Sequence, residues 1–100
     1  MVSHLVLWKR KPEAHGQSAA ENARAIKEKL EALLGRVPGL LRIEVGIDFS
    51  RADSSSDLAL YSEFESRAAL EAYQVHPEHK AVRPFILEAR SERRLGDFET

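Results

Sequence analysis

The chain has 100 residues, of which 31% are charged and 43% hydrophobic, and its formal net charge is -1. This size predicts one domain over residues 1–100, and the charge balance argues against a nucleic-acid partner, which would require a clustered basic surface. The sequence has no cysteine, which excludes disulfides, a thiol nucleophile and a cysteine-based metal site, and suits a reducing cytoplasm.

The first predicted strand is the N-terminal stretch VSHLVLW. Its alternate residues include Val6, Trp8 and His4 in one row, and Leu5 and Leu7 in the other. Apolar residues in both rows indicate that both faces of the strand are covered. The apolar run is too short for a signal peptide core or a membrane span, so we expect a soluble, cytoplasmic protein without a membrane partner.

The clearest predicted helix lies within GQSAAENARAIKEKLEALLGRVPGL. Ser18 and Glu21 have the spacing of a capping box at its N-terminus. Apolar residues then recur at helical spacing as far as Leu34 and Val37, which predicts one buried stripe. Gly35 can end the helix or allow one further irregular turn before the next strand.

Two strands are predicted next, LLRIEVGID and DLALYSEFE, with a loop rich in serine and aspartate between them. Alternation with polar residues places four apolar side chains of the first strand on one face. These are Leu41, Ile43, Val45 and Ile47. The second strand has apolar residues in both rows, with Leu58 in one and Tyr61 in the other.

The last third of the chain contains a second helical segment, SRAALEAYQVHPEHKAV, followed by ARSERRLGDFE. Ser66 is a candidate N-cap for the helix. Pro77 predicts a break, after which the helix resumes, and Pro84 predicts a further break. The final stretch predicts a fourth strand of polar character.

The order strand, helix, strand, strand, helix, strand predicts an α+β fold of the ferredoxin-like βαββαβ type. In this fold the helices cover one face of a four-stranded antiparallel sheet. The other face would then carry Leu5, Leu7, Ala59 and Tyr61, which together are too apolar to face water. We therefore expect a homodimer in which two sheets face each other as a dimeric α+β barrel. The pattern leaves open which row of the first strand faces the helices.

With these elements placed, the sequence resembles the stress-responsive A/B barrel, or Dabb, domain family. The matching segments are SHLVLWKRK, VPGLLRIEVGID, YSEFESRAALEAYQVHPEHKAV and the final DFE. The HP-x-H element, which follows an aromatic residue, is the most specific of them. The resemblance implies a dimeric barrel of ferredoxin-like subunits and a stress-associated protein without assigned chemistry.

The sequence is also similar to a plant polyketide cyclase, olivetolic acid cyclase, in which a Tyr–His pair promotes ring closure without a cofactor. The matching motifs imply that His4, Tyr73 and His79 correspond to residues of its pocket. A further histidine of that pocket falls on Leu58, so this chain is missing one polar member.

Three functions stay open at this point. The first is a homodimer of unassigned role that binds a small apolar or phenolic ligand between sheet and helices. The second is a cofactor-independent lyase or cyclase, in which Tyr73 and His79 perform acid–base chemistry on a polyketide-like or phenolic carbonyl substrate, beside His4. The third is a structural or protective oligomer whose pocket is filled by side chains.

The candidate catalytic residues are thus His79, Tyr73 and His4, and the candidate ligand contacts are Trp8, Leu58, His76 and Phe85. On an unbroken helix Tyr73 and His79 would lie about 240° apart around the axis, so only the break at Pro77 could bring them together.

We expect no cofactor and no metal. The sequence has no glycine-rich phosphate loop and no nucleotide, haem or flavin signature. His76 and His79 are spaced so that they could share a metal, but no third ligand is evident unless His4 supplies it.

His15 is expected to be solvated. Four arginines predict an exposed charged face, with contact to an acidic substrate as the alternative. They are Arg83, Arg90, Arg93 and Arg94.

Overall fold

The structure, a computed structural model, describes all 100 residues and contains six strands and three helices. The strands are β1 (Val2–Arg10), β2 (Glu13–Ala14), β3 (Gln17–Ser18), β4 (Leu40–Ile47), β5 (Leu58–Phe64) and β6 (Arg90–Glu99). The helices are α1 (Ala19–Glu31), α2 (Arg67–Val75) and α3 (Pro77–Ala89). Four strands form an antiparallel sheet in the order β4-β5-β1-β6, and β2 and β3 form a separate hairpin. The predicted ferredoxin-like fold is confirmed, with the short hairpin added.

The sheet has one face against the helices and one open face. In β1 the side chains of His4, Val6 and Trp8 are buried, whereas Leu5 and Leu7 are only half-buried. The row that contains His4 therefore faces the helices. This settles the orientation that the sequence pattern left open.

Strand β4 departs from the predicted alternation at its start. Leu41 was expected inside but is 50% exposed, whereas Leu40 is buried. The cause is a shift in the pairing of β4 with β5 between Leu40 and Arg42. Such a bulge adds one residue to the strand and changes the face on which the preceding side chains lie. Ile43 and Val45 are buried as predicted.

Helix α1 begins at the predicted capping box. The Ser18 hydroxyl accepts a hydrogen bond from the Glu21 backbone N–H at 3.3 Å, and the Glu21 carboxylate accepts one from the Ser18 backbone N–H at 3.2 Å. The helix ends at Glu31, and Gly35, with φ of 85°, lies in the turn that follows. Leu33 and Val37 are buried as predicted, although both follow the last residue of the helix, whereas Leu34 is 50% exposed.

The second helical segment is divided into α2 and α3. His76 is the residue between them, with ψ of 137°, and Pro77 is the first residue of α3. The predicted break at Pro77 is confirmed. The predicted break at Pro84 is wrong, because α3 continues through it. Pro84 and Lys80 are both exposed, so water can hydrogen-bond the Lys80 carbonyl, which has no helical N–H partner.

None of the three helices has the length and apolar character needed to cross a membrane. The cytoplasmic location stays a prediction.

Replacement of Gly39 by alanine should lower the free energy of unfolding by about 2–4 kcal/mol. Gly39 has φ of 82°, and a Cβ added there would lie 2.6 Å from the Cβ of Ala69 on α2. The variant thus suffers both an unfavourable backbone conformation and a steric clash. Chemical denaturation measures the loss.

The matched control is Gly35→Ala. Gly35 has φ of 85°, but an added Cβ would meet nothing within 4 Å. This variant should lose only the backbone contribution, about 1–2 kcal/mol. Equal losses in the two variants would show that the contact with α2 is not tight.

Candidate functional site

A cavity of about 510 Å³ lies between the helix-covered face of the sheet and the helices. This volume is within the range of about 300–1,000 Å³ that is usual for small-molecule sites. The apolar wall includes Val6, Trp8, Leu60, Ile86 and Leu95. The polar and charged groups at the cavity are His4, Tyr73, Gln74, His79, Arg83, Arg90 and Arg93.

Four of the residues predicted for the site line this cavity, namely His4, Trp8, Tyr73 and His79. The other three lie elsewhere. Leu58 is in the core and 1% exposed. His76 caps α3, where its Nδ1 accepts a hydrogen bond from the Glu78 backbone N–H. Phe85 stacks on His15, with ring centroids 4.0 Å apart. We therefore leave Leu58, His76 and Phe85 out of the site that we propose.

The break between α2 and α3 brings Tyr73 and His79 together. Their ring centroids are 4.2 Å apart. Phe64, from β5, packs against Tyr73, with ring centroids 5.0 Å apart. An uninterrupted helix would have placed the two side chains on different sides, so the chain direction change at Pro77 creates this contact.

The hydroxyl of Tyr73 is buried and has no hydrogen-bond partner in the protein, and the residue is 1% exposed. Leaving a hydroxyl buried and unpaired costs about 1–3 kcal/mol. Burial raises the pKa of Tyr73 well above its ordinary value of 10.0, although the positive charges of Arg83 and Arg93 act to lower it. Tyr73 is therefore neutral at physiological pH, and its hydroxyl keeps a hydrogen that no protein group accepts.

His4 is held by a carboxylate that the sequence analysis did not identify. Its Nδ1 lies 2.5 Å from Oδ1 of Asp97, the residue opposite His4 in the pairing of β1 with β6. A carboxylate accepts hydrogen bonds, so Nδ1 of His4 donates to Asp97, and this bond fixes the orientation of the ring. Asp97 belongs to the final DFE segment, but only the strand register shows that it meets His4.

His79 is held less tightly. Its Nδ1 lies 3.4 Å from the carbonyl oxygen of Gln74, which can only accept a hydrogen bond. Nδ1 is therefore the donor, and Nε2 of the neutral His79 ring keeps the lone pair. Burial lowers the pKa of His79, and the nearby Arg83, His4 and Arg93 act in the same direction, against the hydrogen bond to Gln74. His79 is therefore neutral near pH 7 and able to accept a proton.

The free energy of unfolding should fall as the pH is lowered through 6.5, the ordinary pKa of histidine, towards the lower pKa of folded His79. In this window the unfolded chain binds a proton that the folded chain does not, so acid favours unfolding, and the loss levels off below the folded pKa. Arg83 of the same helix, His4 of β1 and Arg93 of β6 face the ring and oppose its protonation. Chemical denaturation at a series of pH values measures this slope.

His79→Gln should flatten the slope between neutral and mildly acidic pH. His15→Gln, which removes an exposed histidine of the β2–β3 turn, is the control and should keep the wild-type slope. A wild-type slope in His79→Gln as well would show that the loss of stability in acid does not come from His79.

No cluster of three or more histidine, cysteine, aspartate or glutamate side chains is close enough to hold a metal ion. His4 does not join His76 and His79, since its Nδ1 is bonded to Asp97 and His76 caps α3.

Comparison with known proteins is consistent with this fold. The chain is similar to a dimeric protein of unknown function with a ferredoxin-like fold from Bacteroides fragilis, with 30% identity, coverage of 99% of this chain and 95% of that one, and a TM-score of 0.87. It also shares its fold with a dimeric ferredoxin-like protein of unknown function from Thermobifida fusca, with 21% identity, coverage of 99% and 90%, and a TM-score of 0.84. A Dabb family protein from Mesorhizobium loti has 21% identity, coverage of 99% and 95%, and a TM-score of 0.74.

No curated protein matches the chain, so the similarity to olivetolic acid cyclase is not shown. The family model of the stress responsive A/B barrel domain, in contrast, matches residues 2–100. This match covers every strand and helix described above. The chain belongs to the stress-responsive A/B barrel (Dabb) domain family.

Proposed function

We propose that this Dabb protein is a homodimer that binds a small, partly apolar molecule in the cavity between sheet and helices, with a hydrogen bond from Tyr73. The observation that carries the proposal is the buried, unpaired hydroxyl of Tyr73, a residue that lines the cavity. A ligand with an acceptor oxygen would supply the missing partner. The family's description suggests a role in stress response.

The Tyr73 hydroxyl also favours binding over the purely structural alternative. Buried polar groups in a packed core are nearly always hydrogen-bonded. A phenylalanine would fill the same space without an unpaired oxygen, so a merely structural position gains nothing from tyrosine. The open cavity lined by Tyr73 also favours ligand binding, because the structural alternative requires this part of the interior to be filled by side chains.

The homodimer is supported by the open face of the sheet. Leu5, Leu7 and Tyr61 are half-buried there, and Phe98 of β6, opposite Ser3 in the strand pairing, is 51% exposed. These side chains form one apolar surface on adjacent strands, which is the pattern of a self-complementary interface. The relatives from Bacteroides fragilis and Thermobifida fusca are described as dimeric.

A thermal-shift screen with small phenolic and carbonyl compounds, including 4-hydroxyacetophenone and 4-hydroxybenzoate, tests the binding proposal on the wild type and on Tyr73→Phe. Without ligand, Tyr73→Phe should be more stable by about 1 kcal/mol, because it removes an unpaired buried hydroxyl. A bound ligand should raise the melting temperature of Tyr73→Phe by less than it raises that of the wild type. An unstable Tyr73→Phe with an unchanged ligand response would contradict the proposal.

The matched control is Tyr61→Phe. The Tyr61 hydroxyl donates to the Glu63 carboxylate at 2.7 Å and lies 3.3 Å from the Ser3 hydroxyl. Its removal should therefore lower stability and leave ligand binding in the cavity unchanged.

A second candidate is a cofactor-independent lyase or cyclase that acts on a polyketide-like or phenolic carbonyl compound. The observation that favours it is the pairing of His4 with Asp97, beside a neutral Tyr73 and a neutral His79. The Nε2 of His79 would accept a proton from the carbon next to a carbonyl, with His4 beside it. The Tyr73 hydroxyl would donate to the developing oxyanion.

Deuterium uptake at the carbon atoms next to the carbonyl of 4-hydroxyphenylacetone, followed by NMR in D₂O, tests this second candidate. The wild type should accelerate the exchange over buffer, and His79→Gln should lose the acceleration while its cavity still binds 4-hydroxybenzoate. Exchange at the buffer rate in the presence of wild type would contradict enzymatic acid–base chemistry and leave the binding proposal in place.

A further inference from the structure

The charged groups that line the cavity all have the same sign. Arg83 comes from α3, Arg90 from the junction of α3 and β6, and Arg93 from β6. No aspartate or glutamate lines the cavity. The whole chain has a net charge of only -1, so this positive charge is a local feature of the cavity and does not reflect the overall composition.

These three arginines also have no carboxylate partner within the protein. Four other arginines lie within 4.0 Å of a carboxylate oxygen, namely Arg10, Arg36, Arg42 and Arg67. The three at the cavity form no such ion pair, and Arg83 instead donates to the Gln74 carbonyl at 2.6 Å. Asp97 lies nearby but is bonded to His4 and lines a separate groove.

Like charges that converge without counter-charges repel one another, and a bound anion would relieve this repulsion. Guanidinium groups are well suited to hold a carboxylate, since they can donate two parallel hydrogen bonds to it. Arg83 and Arg93 are largely exposed, which places them where the cavity meets solvent. The opposite wall, with Trp8, Leu60 and Ile86, is apolar and would accept the rest of such a ligand.

We infer that the ligand of this cavity is a small organic acid, with its carboxylate held among Arg83, Arg90 and Arg93 and its apolar body against Trp8 and Ile86. The inference rests on the proposed binding function and narrows it to one ligand class. Tyr73, which lines the same cavity, adds a hydrogen-bond donor for a second oxygen of the ligand.

Calorimetric titration with matched acids and amides tests the inference. The pairs are 4-hydroxybenzoate with 4-hydroxybenzamide, phenylacetate with phenylacetamide, and hexanoate with hexanamide; each pair keeps the body of the molecule and removes the charge. We expect each acid that binds to do so about tenfold more tightly than its amide at low ionic strength, with the difference reduced by added salt.

Arg93→Met should reduce the preference for acids over amides and leave amide binding unchanged. Arg94→Met is the matched control, because Arg94 is opposite Leu7 in the strand pairing and so lies on the open face of the sheet. It removes the same charge from the chain and should keep the preference for acids. A similar loss in both variants would show a general effect of net charge and overturn the inference.

Equal affinity for acids and amides would overturn the choice of ligand class and leave cavity binding intact. Absence of binding by every acid and every amide would contradict both this inference and the proposed function.

Discussion

Replacement of Leu7 by aspartate is expected to convert the proposed dimer into a monomer. Leu7 lies on the open face of the sheet, and two-fold symmetry would place both copies of the new carboxylate in one apolar interface. Arg94 lies opposite Leu7 and can pair with the new carboxylate, but both charges must lose their hydration in the interface. Burial of charge is strongly unfavourable even in a pair, so the dissociation constant should rise at least about a hundredfold, equivalent to about 2.8 kcal/mol. Sedimentation velocity over a range of concentrations measures the change.

The matched control is Leu34→Asp. Leu34 is 50% exposed in the turn after α1, away from the open face, so this variant should stay dimeric. Phe98→Asp provides a second test on the open face itself, since Phe98 is 51% exposed in the single chain and its replacement should not disturb the fold. Dimers of unchanged affinity in Leu7→Asp and Phe98→Asp would show that the chain associates through another surface or not at all.

Replacement of Phe64 by alanine should lower the free energy of unfolding by about 3–5 kcal/mol. Phe64 is 0% exposed, and its ring lies between β5 and the site, 5.0 Å from the Tyr73 ring and 6.3 Å from that of His4. Domains of this size have a total stability of about 5–15 kcal/mol, so the loss would remove a large part of it. Urea denaturation followed by circular dichroism measures the loss.

The chain offers a control of the same chemistry in Phe49→Ala. Phe49 is 93% exposed in the loop after β4, so its truncation should change stability by no more than about 0.5 kcal/mol. Phe64→Leu extends the test to function, because it keeps most of the core filled but removes the aromatic ring that contacts Tyr73. We expect a folded protein with weaker ligand binding, and unchanged binding would mean that Phe64 does not position the tyrosine.

Local patterns in the sequence were sufficient for most of the fold. The Ser18–Glu21 capping box, the break at Pro77 and the last strand are all local features, and each is present in the structure. The predictions for Pro84 and Leu41 were wrong because each depended on local sequence alone, whereas the surrounding structure decides the outcome. Pro84 stays within α3 because it is exposed to water, and Leu41 is exposed because a bulge shifts the strand pairing.

The candidate site was less predictable, since it depends on contacts between distant parts of the chain. Tyr73 and His79 are close in sequence, and their approach could be anticipated from the proline between them. Asp97 could not be identified in this way, because it meets His4 only through the register of β1 with β6. Arg93 belongs to a strand of polar composition, and the sequence does not show that it faces the cavity while Arg94 faces the other side.

The most direct test of cavity binding uses Trp8, the only tryptophan of the chain, which lines the cavity. Its indole N–H gives a single resonance in a ¹H–¹⁵N NMR spectrum, and this resonance can be followed while 4-hydroxybenzoate is added to the wild type and to Tyr73→Phe. We predict a progressive, saturable shift in the wild type and weaker binding in Tyr73→Phe. A Trp8 resonance that stays unmoved throughout the wild-type titration would contradict binding in this cavity.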